Sequence, residues 1–124
     1  ELYRSAIMPD WWKLEPQGSA SAWEKIEATI TTWDPRCRGV VMLGLDAPQI
    51  ELEKAFAVAA RSPIVKGFAV GRTIFADAAR RWLGGEIGDQ AAIDDMATRF
   101  ADLCAAWQSQ RGEAAVASKG SVGR

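Results

Sequence analysis

The chain has 124 residues, 15 basic and 16 acidic side chains and a formal net charge of -1, with 48% hydrophobic and 25% charged residues. That is the size and balance of one globular domain, with no basic field for nucleic acid or anionic lipid and no apolar run long enough for a membrane span. Histidine is absent and only Cys37 and Cys104 carry thiols, which excludes a Ser-His or Cys-His nucleophile pair, a His-ligated zinc and a disulfide-dense scaffold.

Acid and base work therefore falls to Asp, Glu, Lys or Tyr. No metal and no cofactor is expected, the two thiols read as reduced and structural, and a cytoplasmic location follows from that reading. Residues 1–7 lack the basic leader and apolar segment of a signal peptide and read as the tail of a helix. The expectation is a C-terminal piece of a longer protein.

Residues 9–16, PDWWKLEP, are bounded by prolines that disfavour helix on both sides, which predicts a first strand. Ser19 or Ser21 then caps a helix running to about Trp33. Ser21 has Glu24 three positions on, and Trp23, Ile26, Ile30 and Trp33 follow at spacings of three and four. Residues 39–46, GVVMLGLD, are apolar almost throughout, the pattern of a central strand covered on both faces. Pro48 opens a second helix, ending near Arg61, with Ile50, Leu52, Ala55, Phe56 and Ala59 as its stripe.

Residues 64–71, IVKGFAVG, predict a third strand, and residues 73–83 a short helix closed by Gly84-Gly85. A last helix begins at Asp89 or Asp94 and carries Ile93, Met96, Phe100, Leu103, Cys104 and Trp107. Residues 112–124 show no periodicity and predict a disordered tail. The order β-α-β-α-β-α-α is α/β, with parallel strands and right-handed crossovers. It fits a small open unit or the last three βα units of a (β/α)8 TIM barrel with outer helices and an extra C-terminal helix. The barrel is preferred because it also accounts for the way the chain begins.

Ligands of parallel α/β folds bind at the carboxyl ends of the strands. Alternation in the first strand puts Trp11, Lys13 and Glu15 on one face and Trp12 and Leu14 on the other. On a barrel strand the Lys13 face is the lumen, where desolvation disfavours an ammonium and favours a nucleophilic amine. The competing reading is a structural ion pair with Glu15, or an outward Lys13. Asp46 ends the second strand on the face of Met42 and Gly44, where Gly44 leaves space for a ligand. It is placed either to orient a substrate hydroxyl and move a proton or to cap the next helix. Gly71, Arg72 and Thr73 form a strand-to-helix turn whose free amides, at Thr73 and Ile74, and guanidinium favour phosphate.

Together, PDWWKLEP, CRGVVMLGLDAP and VKGFAVGRTIF resemble the C-terminal end of the aldolase-like domain fused behind the sugar kinase 5-dehydro-2-deoxygluconokinase of bacterial myo-inositol catabolism. The resemblance spans about residues 1–111. That domain is similar to class I tagatose-bisphosphate-type aldolases, whose K-x-E strand carries the Schiff-base lysine, matched here by Lys13 and Glu15. The resemblance implies retro-aldol cleavage of 2-deoxy-5-keto-gluconate 6-phosphate, with Lys13, Glu15 and Asp46 catalytic and Gly44, Gly71, Arg72 and Thr73 at the substrate phosphate. The implied partners are this phosphorylated sugar acid, the N-terminal remainder of the barrel and a fused kinase domain; self-association as a homo-oligomer stays open. Kinase motifs are absent, and a piece this short is expected to be weakly stable and inactive alone. The alternative is a sugar-phosphate-binding or scaffolding domain attached to the kinase.

Overall fold

Between Pro9 and Pro16 the tryptophan-rich run forms β1 (Trp11–Leu14), preceded by a single 3-10 turn at Tyr3–Ser5. The computed structural model describes residues 1–120, with side chains described through residue 116. The further elements are α1 (Ala20–Trp33), β2 (Gly39–Leu43), α2 (Gln49–Ala59), β3 (Val65–Ala69), α3 (Arg72–Leu83) and α4 (Asp89–Gly120). The predicted order of strands and helices is present. Ser19 caps α1 through its hydroxyl, which accepts from the Ala22 N–H at 3.3 Å, and Ser21 lies inside the helix.

The three strands are parallel in the order β1-β2-β3, with Trp12 beside Val40, Leu14 beside Met42 and Met42 beside Phe68. Right-handed crossovers between sequential neighbours put the connecting helices on one side of the sheet. The burial agrees: Val40, Met42 and Val65 join Trp23 and Ile30 of α1, Leu52 and Phe56 of α2, and Leu103 and Trp107 of α4 in one core, with Trp12, Leu14 and Phe68 packed against it.

The opposite face stays open. Trp11 and Lys13 are exposed, and Val41, Leu43, Gly67 and Ala69 are only half-buried. This corrects the expectation that β2 is covered on both faces. Its apolar run holds Val40 and Met42 in the core while Val41 and Leu43 line the open side.

The second correction concerns the C-terminal region. α4 continues to Gly120, through residues 112–120 where a disordered tail is expected. Adding residues to an existing helix avoids the cost of nucleation, and the alanines at 114, 115 and 117 favour propagation without any apolar stripe. Residues 121–124 lie outside the described residues. Within α4, Leu103 and Trp107 are buried, whereas Ile93 and Phe100 are more than half exposed. Ile50, on the predicted α2 stripe, is also exposed.

An exposed network joins α3 to α4: Asp77 pairs with Arg80 at 3.0 Å, Arg99 at 3.6 Å and Arg81 at 3.8 Å, and Arg99 with Asp95 at 2.7 Å. The hydrogen bond from Arg80, with the three neighbouring guanidiniums, holds the Asp77 carboxyl below its ordinary 3.8. A carboxylate favoured in the folded state adds stability above that ordinary value, and the contribution is lost as pH falls through the lowered one. Asp77→Asn is therefore expected to lower stability slightly at neutral pH, slightly because the network is exposed, and to leave it unchanged in acid, so that the acid limb below about pH 4 flattens by that same amount. Urea unfolding at a series of pH values checks this; an unchanged acid limb contradicts it.

Candidate functional site

The carboxyl ends of β2 and β3 open onto one cleft of about 280 Å³, lined by Leu43, Gly44, Leu45, Asp46, Ala69, Val70, Gly71, Arg72 and Phe75. β2 ends at Leu43, three residues before Asp46, so alternation no longer governs the acid's direction. Leu45 and Asp46 both take left-handed conformations, with φ of 50° and 66°. Asp tolerates that region through its short polar side chain, but Leu does not, and such strain is characteristic of functional turns. The turn is closed by the Ala47 N–H on the Gly44 carbonyl at 3.0 Å.

Two contacts tie this turn to the start of α3, 26 residues on. The Thr73 hydroxyl donates to the Ala47 carbonyl at 2.9 Å. The Arg72 Nη1 lies 3.4 Å from Asp46 Oδ2, both side chains about half exposed or more. Asp46 thus spends its carboxylate on Arg72 and does not cap α2, whose cap residue is Pro48 with no side-chain hydrogen bond.

The glycines act differently from the sequence expectation. A Cβ on Gly44 meets Val70 at 2.9 Å, so the room this glycine makes is taken by Val70 and not by a ligand. A Cβ on Gly71 meets the Phe75 ring at 3.1 Å. Gly71 is the cap of α3, and its carbonyl accepts from Ile74 at 2.8 Å and Phe75 at 3.1 Å. The Ile74 amide expected to be free is therefore engaged, which leaves the Arg72 and Thr73 amides at the first turn without a helical acceptor.

Lys13 is exposed on the open face of β1, as alternation predicts, Glu15 is exposed one residue past the end of the strand, and neither lines the cleft. Lys13 stands beside Val41 of β2, and no ion pair joins it to Glu15 among the described residues. Gly44, Asp46, Gly71, Arg72 and Thr73 are thus brought together, with Lys13 on the adjoining strand face. Leu45, Val70 and Phe75 were not predicted for the site. Phe75 had a signal, lying one turn after Gly71; the left-handed Leu45 had none.

The two cysteines are free, and Cys37 Sγ donates to the carbonyls of Asp10 at 3.6 Å and Gly39 at 3.7 Å. No group of three or more Cys, Asp or Glu side chains among the described residues is placed to hold a metal ion. No helix there is long and apolar enough to cross a membrane. Comparison with curated proteins and with solved structures finds no match. A family model does match, over residues 1–111, and the chain belongs to that family, described as an uncharacterized protein conserved in bacteria (DUF2090).

Proposed function

We propose that this chain forms a sector of an aldolase-like (β/α)8 barrel, with Lys13 as the Schiff-base amine and the Gly71–Thr73 turn as the docking point for the substrate phosphate. The observation that carries the reading is Lys13 on the helix-free face of a sequentially ordered parallel sheet. In a barrel that face is the lumen, and further strands around it supply the dry surroundings in which a free amine attacks a carbonyl. The half-buried Val41, Leu43 and Ala69 on the same face suit such a layer.

The substrate class is a phosphorylated keto-sugar acid, here 2-deoxy-5-keto-gluconate 6-phosphate. The Lys13 Nζ condenses with the keto carbon and water leaves, giving an iminium. Asp46 takes the proton of the hydroxyl two carbons from the former ketone. The bond between that hydroxyl-bearing carbon and the carbon next to the iminium breaks, releasing malonate semialdehyde, and the electron pair moves onto the iminium nitrogen to give an enamine. Protonation of the enamine and hydrolysis return the amine and dihydroxyacetone phosphate. Glu15, exposed two residues beyond Lys13, is the carboxylate that would pass protons to and from this amine.

In the full-length protein, Lys13→Ala is expected to lower the rate of triose phosphate release by on the order of a thousandfold or more, as loss of a covalent nucleophile does. A coupled assay for dihydroxyacetone phosphate measures it. An unchanged rate removes Lys13 from the reaction. Substrate binding without any triose phosphate, even in the unaltered protein, identifies a sugar-phosphate-binding domain, the reading favoured by Lys13 lying outside the cleft.

A further inference from the structure

The Asp46–Arg72 pair has the geometry of an exchangeable contact. At 3.4 Å, with the two side chains 49% and 64% exposed, it is an ion pair without a close hydrogen bond. Exposed pairs of this kind are weak. Its two partners are nevertheless held face to face by the fold: Arg72 starts α3, Asp46 sits on a left-handed turn strained at Leu45, and Thr73 anchors that turn through the Ala47 carbonyl. Both charged groups line the cleft at the carboxyl ends of β2 and β3, and they are the only charged residues that do so among those described.

We infer that Asp46 occupies Arg72 in place of the substrate phosphate, and that phosphate binding releases the Asp46 carboxylate for proton transfer. This rests on the proposed function for the role of the freed carboxylate, but the exchange itself concerns only the two side chains and an anion. A phosphate dianion carries more charge than the carboxylate and more acceptor oxygens, so it outcompetes Asp46 for the guanidinium. The resting pair keeps the base occupied until a phosphorylated ligand arrives. A sugar acid without phosphate offers Arg72 only a carboxylate, with no advantage in charge over that of Asp46, which makes Asp46 a specificity-determining residue as well as a base.

The test is titration of the full chain with inorganic phosphate, followed by the backbone amide signals of Arg72 and Thr73 in ¹H-¹⁵N spectra. Asp46→Asn keeps a side chain suited to the left-handed turn and removes the competing charge. It is expected to bind phosphate about two- to fivefold more tightly than the unaltered chain, the scale of an exposed ion pair. Arg72→Ala is expected to lose the response. Equal or weaker binding by Asp46→Asn overturns the exchange, as does the absence of any phosphate response in the unaltered chain. Tighter binding by Asp46→Asn together with an unreactive Lys13 leaves the exchange standing and rejects the aldolase reading alone.

Discussion

Phe56→Ala is expected to lower the stability of the fold by roughly 3–5 kcal/mol, the range for truncating a fully buried aromatic side chain. Phe56 is 0% exposed and sits where three elements meet. Its ring lies 5.0 Å from that of Phe68 on β3 and 5.4 Å from that of Trp107 on α4, the second contact edge-on at 84°. Removing the ring leaves a cavity under the sheet and unseats α4 at once. Single domains are stable by only about 5–15 kcal/mol, so the loss takes a large share of the total. Urea unfolding measured by tryptophan fluorescence checks the value, and Phe56→Leu, which keeps much of the volume, should lose less. A loss within about 1 kcal/mol for Phe56→Ala shows that the cluster is not the core of the folded chain.

Gly39→Ala is expected to lose roughly 2–4 kcal/mol, from backbone strain and overpacking acting together. Gly39 opens β2 at φ 145°, outside the range of other residues. An added Cβ falls 2.6 Å from Lys66 Cγ and 2.8 Å from the Ile64 carbonyl oxygen. The lysine stem is able to swing aside. The Ile64 oxygen is not, because it accepts from the Val40 N–H at 2.9 Å and sets the start of β2–β3 pairing. Thermal unfolding monitored by circular dichroism measures the loss, and Lys66→Ala in the same background should recover only a part of it. Full recovery by Lys66→Ala contradicts the backbone argument.

The layout of the fold was legible because its signals are local. Prolines bracket β1, Ser19 and Pro48 mark helix starts, and the glycines after Leu83 end α3. Period two alone assigned Lys13 to the face away from Trp12 and Leu14. The misses have equally physical causes. An unbroken apolar run does not say whether each face meets a helix, so β2 read as covered twice when Val41 and Leu43 face the open side. Compositional bias after Gly112 masked good helix formers that only needed a helix to extend.

The site was legible residue by residue but not as an arrangement. Asp46 and Arg72 were each singled out, yet their pairing depends on two left-handed residues that bend the chain after β2 and on a hydroxyl contact across 26 positions. No pattern in either segment encodes that. Gly44 read as ligand space because a glycine at a strand end is open to that meaning, and the packing of Val70 against it is tertiary.

The central claim, that the exposed lysine on the bare sheet face is a nucleophile, is tested most directly by reductive trapping. The full-length protein is incubated with 2-deoxy-5-keto-gluconate 6-phosphate and borohydride, and its peptides are mapped by mass spectrometry. The account predicts a stable secondary amine on Lys13 that is absent from Lys13→Ala. No adduct, or an adduct that persists in Lys13→Ala, contradicts it.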